Sequence, residues 1–224
     1  MKRLRCIIFD LDGTLTQTNE LIFASFNHVA VKYANRTYTP QEIVALFGPP
    51  EEGAVEKIVG KDRLEEAMVD FLVFYEQHHP AMAELHAGIH DVLSFLRQRG
   101  IILAIFTGKG RPTTLITLEK FGIKRYFDLI VTGNDVQNHK PSADGIRKVM
   151  ARFGLETDQV LMVGDAVSDV KAAHEAGVPV AAVLWDSYAK EKILQMNVDF
   201  TFHSVQEFES WLKTVVTPDG VGIH

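Results

Sequence analysis

The chain contains 224 residues, of which 46% are hydrophobic, and its formal net charge is -6 at pH 7; this length permits one sizeable core or a core with a smaller insertion. The acidic balance argues against a general nucleic-acid or anionic-membrane surface, which requires clustered lysine and arginine. The single cysteine, Cys6, excludes an internal disulfide, and the short apolar run around it is neither a signal peptide nor a membrane span. We therefore expect a cytoplasmic protein with no nucleic-acid or membrane partner.

The first predicted strand contains the apolar run of residues 7–9, which leads directly into two carboxylates, Asp10 and Asp12, and then into Gly13. Side chains two positions apart on an extended segment point to the same side. At about 4 Å and an effective dielectric constant near 20, two like charges repel by roughly 4 kcal/mol, so the pair is expected to share a proton or to hold a cation. Carboxylate oxygens suit Mg²⁺, although a strand ending in a polar turn is the alternative for an isolated Asp-x-Asp.

Helical patterns without a convincing strand occupy the next part of the chain. Apolar residues recur at helical spacing over residues 19–34, and Thr39 before a proline is typical of a capped helix start. Further helices are predicted for residues 51–59 and 62–79, and Pro80 is expected to end the last one. These helices are expected to form a unit of their own.

Strands alternate with helices in the remainder of the chain. The predicted strands are residues 101–106, 127–132, 160–163 and 178–184, with a short edge strand at Phe200. The predicted helices are residues 88–99, 112–121, 142–153, 167–176, 188–196 and 205–215. Such alternation indicates βαβ units and a parallel sheet covered on both faces.

This order of patterns predicts an α/β protein with an inserted helical domain. The core would comprise residues 1–17 and 84–224, and the insertion would comprise residues 18–83. The two chain crossings, near residues 16–18 and 82–84, are expected to form a hinge. Oligomeric state, monomer or homodimer, is left open by the sequence.

Polar residues follow four of the predicted strands. Ligands of open α/β sheets bind beyond the carboxyl ends of the strands, so these residues are expected to meet at one edge. They are Asp10 and Asp12 after the first strand, Thr107 and Gly108 after the second, Lys140 in the loop after the third, and Asp165 and Asp169 after the fourth. Each alone could cap a turn or be solvated, but together they match the requirements of phosphoryl transfer, which are a nucleophile, a metal and donors to the phosphoryl oxygens.

Asp10 and Asp12 suit the bond-breaking steps of such a reaction. A carboxylate can form an aspartyl-phosphate, so Asp10 is the candidate nucleophile. Asp12 could then act as general acid toward the leaving oxygen and as general base toward the hydrolytic water.

The remaining strand-end residues suit binding. Lys140 would supply a positive charge to the phosphate, and the Thr107 hydroxyl and the Gly108 amide would supply neutral donors. Asp165 would complete the oxygen ligands of Mg²⁺ together with Asp10. Asp169 is expected to hold Lys140 or a bound water in place.

These motifs together resemble those of the haloacid dehalogenase-like hydrolase superfamily. They are Phe9-Asp10-Leu11-Asp12-Gly13-Thr14-Leu15-Thr16, Thr107-Gly108, Lys140-Pro141 and Gly164-Asp165-Ala166-Val167-Ser168-Asp169. The resemblance implies a Rossmann-like sheet, a nucleophilic Asp10, an acid/base Asp12, and Mg²⁺ between Asp10, the backbone carbonyl of Asp12 and Asp165. The helical insertion is similar to the cap of phosphoglycolate phosphatase-like members. Dehalogenases of the superfamily lack an acid at the position of Asp12, so the resemblance argues against dehalogenation.

Three functions are compatible with this sequence. The first is a Mg²⁺-dependent phosphatase of a small phosphorylated metabolite, with phosphoglycolate, a related monoester or pyrophosphate as candidate substrates. The second is a sugar-phosphate mutase of the same superfamily, which returns the phosphoryl group to its substrate. The third is a non-catalytic phosphate-binding module, against which the intact Asp10 and Asp12 pair argues.

Several weaker signals have mainly structural interpretations. Lys109 and Arg111 follow the second motif, and solvation at the surface is expected for both. The turn Gly48-Pro49-Pro50 is, by the resemblance, the part of the insertion that faces the active site and selects the substrate; a simple connector between helices is the alternative. The histidines His78, His79, His86 and His90 are expected to be exposed at helix ends.

Overall fold

The computed structural model describes residues 4–47 and 50–216. Its strands are β1 (Cys6–Phe9), β2 (Thr16–Gln17), β3 (Glu84–Leu85), β4 (Ile102–Phe106), β5 (Leu129–Val131), β6 (Val160–Gly164), β7 (Val180–Val183) and β8 (Phe200–Phe202). Its helices are α1 (Asn19–Ala34), α2 (Pro40–Val44), α3 (Glu51–Val59), α4 (Leu64–Met82), α5 (Ile89–Gln98), α6 (Arg111–Lys120), α7 (Asp144–Phe153), α8 (Val167–Ala176), α9 (Lys190–Ile193) and α10 (Val205–Val215).

Six of these strands form one parallel sheet in the order β5-β4-β1-β6-β7-β8. The strand β1 lies inside the sheet between β4 and β6, so the chain reverses its direction of winding around it. Ligand sites of open α/β sheets lie at such a reversal. The predicted α/β fold with a Rossmann-like parallel sheet is confirmed.

The strand β1 contributes to hydrophobic cores on both faces of the sheet. Ile7 and Phe9 point to one side and belong to the core formed with α5 and α10, whereas Cys6 and Ile8 point to the other and pack with α7 and α8. This alternation explains why β1 reads as a continuous apolar run. Cys6 is fully buried as predicted, and burial raises the pKa of its thiol to about 12.

The helices α1 to α4 pack around a third core of their own. Phe26 of α1 lies against Phe71 of α4, with ring centroids 5.0 Å apart. The helix α4 also contacts α6, where the hydroxyl groups of Tyr75 and Thr117 are hydrogen-bonded at 2.8 Å. The helical unit, residues 19–82, is therefore held against one helix that flanks the sheet.

The chain enters and leaves the helical unit through a two-stranded antiparallel ribbon. Thr16 pairs with Leu85, and Gln17 pairs with Glu84. These are the two crossings at which the sequence predicts a hinge. The sequence did not predict the ribbon itself, because strands of two residues are too short to show an alternating pattern.

Two helices, α4 and α9, differ most from their predicted bounds. The helix α4 does not end before Pro80 but continues to Met82. Its last turn still closes, because the Ala83 amide donates a hydrogen bond to the His79 carbonyl at 3.1 Å. The side chain of His79 in this turn is buried against Phe121.

The helix α9 is shorter than predicted and begins at Lys190. The Ser187 hydroxyl accepts a hydrogen bond from the Ala189 amide at 3.1 Å, which holds the preceding residues in a turn.

Throughout the ranges that the structure describes, no helix combines the length and the apolar composition needed to cross a bilayer.

Candidate active site

The register of the sheet brings the predicted site residues to one edge. Phe9 of β1 is paired with Ile105 of β4 on one side and with Val163 of β6 on the other. Asp10, Thr107 and Asp165 follow these residues within two positions. The parallel strands therefore deliver all three side chains to the same carboxyl-terminal edge.

Three buried carboxylates lie together at this edge. One oxygen of each of Asp10, Asp165 and Asp169 lies within 4.8 Å of the others. The Thr14 hydroxyl donates to Asp165 Oδ1 at 3.0 Å, and the Ala166 amide donates to Asp169 Oδ2 at 3.0 Å. The side chain of Asp169 thus belongs to the same acidic group as the two residues expected to bind metal.

Burial and mutual repulsion raise the pKa values of two of these carboxyl groups. For Asp10, burial is the larger cause, Lys140 opposes it, and the pKa rises to about 6. For Asp165, burial and then the charges of Asp10 and Asp169 hold the pKa well above its ordinary value. The site therefore carries negative charge that favours binding of a proton or a cation.

Lys140 is the positive group of this cluster. Its Nζ lies 2.9 Å from Asp10 Oδ1 and 2.6 Å from Asp169 Oδ1. Burial opposes the charged form, but the carboxylates of Asp10 and Asp169 hold the pKa of Lys140 above its ordinary value. The contact with Asp169 is the one expected from the sequence.

The donor set of this cluster fits a hard divalent cation. Three carboxylates face one ammonium group, and Asp10 Oδ1 is buried without a well-aligned hydrogen bond. Gly13 has a φ of +82°, and a Cβ at this position would lie 2.4 Å from Asp165 Oδ2. The absence of a side chain at Gly13 therefore keeps the space beside the carboxylate open, and oxygen-only ligands of this kind suit Mg²⁺.

Asp12 lies beside a different lysine. The Thr18 hydroxyl donates to Asp12 Oδ1, and Lys109 Nζ lies 3.3 Å from Asp12 Oδ2. Lys109 is buried and lies over the ring of Tyr75 at 4.8 Å. Burial opposes its charge, but Asp12 and Glu51 hold the pKa of Lys109 above its ordinary value.

The expectation of a solvated Lys109 is therefore wrong. The helical unit covers this lysine, and its neighbours in sequence give no sign of that cover. Arg111, in contrast, is half-exposed as expected and pairs with Asp135 at 2.5 Å.

Glu51, at the start of α3, is a site residue that the sequence did not reveal. Its Oε2 accepts the Gly110 amide at 2.6 Å, and its Oε1 accepts the Thr113 hydroxyl at 2.5 Å. Oε1 is also 4.0 Å from Lys109 Nζ. An acidic residue in the first turn of a helix is usually solvated and serves the helix dipole, so no local signal indicated this contact.

Thr107 and Gly108 line the same space. Thr107 is buried, and its hydroxyl accepts the Lys109 amide at 3.2 Å. A cavity of about 430 Å³ lies between the strand ends and the helical unit, and both residues border it together with Asp10, Asp12, Lys140 and Asp165. All predicted site residues except the buried Asp169 therefore border one cavity.

The prediction of exposed histidines is confirmed for His90 alone; His78 is half-buried, and the prediction is wrong for the other two. His79 and His86 are buried, and burial lowers the pKa of each to about 4. His79 packs against Tyr75 and Phe121, and His86 Nδ1 lies 3.3 Å from the side-chain Nε2 of Gln17. Their burial depends on contacts between segments that are distant in sequence.

The turn that the resemblance places over the site is described only in part. Gly48 and Pro49 lie outside the described residues. Phe47, which precedes them, borders the cavity.

The Haloacid dehalogenase-like hydrolase family profile matches residues 7–183, which contain all of the strand-end residues above. The chain belongs to this family. The family membership confirms the resemblance inferred from the motifs and the prediction of an enzyme.

This haloacid dehalogenase-like hydrolase is similar along nearly its whole length to proteins named for phosphatase activities. Pyrophosphatase PpaX from Halalkalibacterium halodurans is 31% identical over 204 residues, which are 91% of this chain and 94% of that protein. A predicted phosphoglycolate phosphatase from Haemophilus somnus is 26% identical with a TM-score of 0.79, over 96% of this chain and 99% of that one. These relatives confirm the phosphoglycolate phosphatase-like subgroup and the phosphatase class.

One structural relative has a name from another reaction class. A provisionally named β-phosphoglucomutase from Thermotoga maritima is 26% identical with a TM-score of 0.74, over 96% of this chain and 100% of that one. Proteins with this fold therefore include some that are named as phosphatases and one that is named as a mutase.

Proposed function

We propose that this protein is a Mg²⁺-dependent phosphatase that hydrolyses a small phosphorylated metabolite through an aspartyl-phosphate on Asp10. The observation that carries the proposal is the position of Asp10, which borders the cavity and contacts Lys140 at 2.9 Å beside two further carboxylates. A carboxylate nucleophile beside a cation and an acidic metal site is the arrangement that phosphoryl transfer requires.

In the first step, a carboxylate oxygen of Asp10 attacks phosphorus and the bond from phosphorus to the leaving oxygen breaks. Asp12 transfers its proton to that leaving oxygen, which departs as an alcohol or as the corresponding acid. Asp12 follows the nucleophile by two positions in the chain, and its contacts with Thr18 and Lys109 hold its carboxylate in place. Asp10 then carries the phosphoryl group as an acyl phosphate.

In the second step, Asp12 removes a proton from water as that water attacks the phosphorus atom. The bond between phosphorus and Asp10 breaks, inorganic phosphate leaves, and both aspartates return to their starting states. The same residue serves as acid and then as base, so the two steps balance in protons.

Binding of the phosphoryl oxygens is assigned to Lys140, to the Thr107 hydroxyl and to the Gly108 amide. Asp10, Asp165 and the backbone carbonyl of Asp12 would hold Mg²⁺, which when bound neutralises charge on the phosphoryl oxygens. Asp169 contacts Lys140 at 2.6 Å and would orient it.

The helical unit is assigned the role of a cap. Residues 18–83 would form this cap domain on a core of residues 1–17 and 84–224. The ribbon of β2 and β3 supports this division, because both crossings lie side by side. Closure of such a cap excludes bulk water and positions the leaving group.

A phosphate-release assay tests the proposal. The substrates are p-nitrophenyl phosphate, phosphoglycolate, pyrophosphate and other small phosphoesters, each with Mg²⁺ or with a chelator. Asp10→Asn should lower kcat by at least about a thousandfold, whereas the control Asp91→Asn, at an exposed position of α5, should retain activity. Full activity of Asp10→Asn would refute the nucleophile assignment.

Product analysis separates the alternatives. The mutase name of one structural relative makes isomer formation the specific competing outcome. If the protein converts a sugar phosphate to its isomer faster than it releases phosphate, the assignment as a phosphatase is wrong and the protein is a mutase. Absence of metal-stimulated turnover on the whole panel would favour a non-catalytic phosphate-binding module.

A further inference from the structure

The wall of the cavity supplied by the helical unit is largely apolar. Eight residues of this unit border the cavity, and only Asn19 and Glu51 among them are polar. The other six are Ile22, Phe26, Val44, Leu46, Phe47 and Ala54. Since the strand-end residues bind the phosphoryl group, this opposite wall faces the rest of the substrate.

Part of this apolar wall is open to solvent. Val44 and Phe47 are 43% and 44% exposed, and both border the cavity. Exposed apolar side chains in a concave site indicate a ligand that covers them. The volume of about 430 Å³ lies in the range of roughly 300–1,000 Å³ that is usual for small-molecule sites.

The cations that border the cavity in the described part of the chain are both engaged by carboxylates. Lys140 lies between Asp10 and Asp169, and Lys109 lies between Asp12 and Glu51. Lys140 is already assigned to the transferred phosphoryl group. A second phosphate or a carboxylate on the leaving group would therefore find no free positive partner on the helical wall.

Glu51 adds an obstacle to such a group. Its two oxygens accept hydrogen bonds from Gly110 and Thr113, so the side chain is fixed. Among the described residues, Lys109 alone faces both Glu51 and Asp12, so this group as a whole carries a formal negative charge at the cavity border. An anionic leaving group would lose its hydration there and meet a like charge.

We infer that the substrate of this enzyme is a phosphate monoester whose leaving group is uncharged and largely apolar. The inference rests on the proposed phosphatase function and narrows it. Pyrophosphate and carboxylate-bearing monoesters such as phosphoglycolate are, on this basis, poor substrates. Discrimination arises at the helical wall, through apolar contact with Phe26, Leu46 and Phe47 and because the described residues of that wall include no free cation.

A matched pair of substrates tests this inference. Butyl phosphate and the same ester with a terminal carboxylate share the reacting bond and differ in the charge of the leaving group. With Mg²⁺, the kcat/KM of the enzyme for butyl phosphate should be at least about tenfold higher than its kcat/KM for the carboxylated ester. The enzyme should also prefer butyl phosphate to pyrophosphate. A preference for the carboxylated ester or for pyrophosphate would overturn the inference while leaving the phosphatase function intact.

A substitution at the wall provides the second arm. Val44→Lys places a cation on the wall, where it can attract the carboxylate of the second ester. The ratio of kcat/KM for butyl phosphate to kcat/KM for the carboxylated ester should therefore fall by about tenfold. Val31→Lys is the control, because Val31 is 53% exposed on α1 and does not border the cavity; its ratio should equal that of the unsubstituted enzyme. Equal ratios in both variants would overturn the role of the wall. If Val44→Lys fails to fold, the substrate ratios of the unsubstituted enzyme decide the inference.

The failure of the underlying function has a distinct result. Absence of hydrolysis of every ester and of pyrophosphate would reject the phosphatase and this inference together. Hydrolysis with the opposite substrate preference would reject the inference alone.

Discussion

The carboxylate of Glu51 on α3 accepts the backbone amide of Gly110 at 2.6 Å, so a residue of the helical unit binds the N-terminus of α6 beside the sheet. A Cβ at position 110 would lie 2.3 Å from Glu51 Oε2, so any side chain there would displace this carboxylate. A negative charge at a helix N-terminus is favourable. The contact therefore joins the two parts of the molecule at the edge of the cavity.

Removal of this carboxylate should loosen the helical unit. Glu51→Ala leaves the Gly110 amide, the Thr113 hydroxyl and Lys109 without this acceptor, and a loss of roughly 1–3 kcal/mol in the free energy of unfolding is expected. The variant should also show a higher KM, because the cap wall is less well positioned. Urea denaturation and steady-state kinetics measure the two effects.

The control for this experiment is Glu56→Ala, an exposed glutamate on the same helix. It should leave stability nearly unchanged. Equal stability and KM in the two variants would show that the Glu51 contact has no energetic role.

The proposed acid/base role of Asp12 predicts a dependence on the leaving group. With Asp12→Asn, hydrolysis of an alkyl phosphate should fall by about 10²–10⁴-fold, because its alkoxide needs a proton to depart. p-Nitrophenolate leaves without a proton, so the first step with p-nitrophenyl phosphate should be less impaired. Phosphorylated Asp10 should then accumulate with p-nitrophenyl phosphate, detectable by mass spectrometry after an acid quench. Equal losses in the rate of the first step with both esters, measured as release of the leaving group in a single turnover, would contradict the assignment.

The acidic cluster predicts a conflict between stability and metal binding. Burial and the charges of Asp10 and Asp169 raise the pKa of Asp165, so its ionised form opposes folding at neutral pH when no cation is bound. Asp165→Asn should stabilise the metal-free protein by about 1–2 kcal/mol, and Asn can still accept the Thr14 hydroxyl.

The same variant should lose the stabilisation that Mg²⁺ confers on the unsubstituted protein. Thermal unfolding with a chelator and with Mg²⁺ measures both effects. Asp62→Asn, at an exposed position, is the control and should keep the Mg²⁺ response. A Mg²⁺-induced increase in Tm of Asp165→Asn as large as in the unsubstituted protein would exclude Asp165 as a ligand.

The buried histidines predict a loss of stability in mild acid. Burial lowers the pKa of His79 from 6.5 to about 4, with Lys109 and Lys120 acting in the same direction and Asp12 opposing. The unfolded chain therefore binds a proton below pH 6.5 that the folded chain binds only near pH 4. Stability falls as the pH decreases through this window, by up to about 3 kcal/mol for one such group.

Replacement of His79 by phenylalanine isolates this contribution. His79→Phe keeps the aromatic contacts with Tyr75 and Phe121 and cannot take up a proton. The decrease in its free energy of unfolding between pH 7 and pH 5 should therefore be about 2 kcal/mol smaller than that of the unsubstituted protein. His90→Gln, at an exposed position, should retain the original pH dependence. Urea denaturation at both pH values provides the comparison, and parallel losses in all three proteins would refute the prediction.

The strand-end part of the site could be predicted from local patterns. Asp10 and Asp165 each follow an apolar strand, and parallel strands place their carboxyl ends at one edge of a sheet. The proximity of these residues is therefore encoded in the alternation of strands and helices.

Lys109, Glu51 and His79 could not be assigned in the same way. Each is buried by contact between the helical unit and the core. The periodicity of a helix indicates which of its faces is apolar, but not which distant element covers a given polar residue. The second lysine of the site and its glutamate partner consequently required the three-dimensional arrangement.

The ribbon formed by β2 and β3 has an implication for how this protein could be rebuilt. Thr16 and Leu85 are direct partners across an antiparallel pair, so their Cα atoms are about 5 Å apart and a two-residue turn could join the strands. Excision of the intervening segment would remove none of the six strands of the parallel sheet and would keep their order along the chain. The segment is in this sense a module with adjacent ends, and a helical segment from another member of the family could be transplanted in its place without redesign of the sheet.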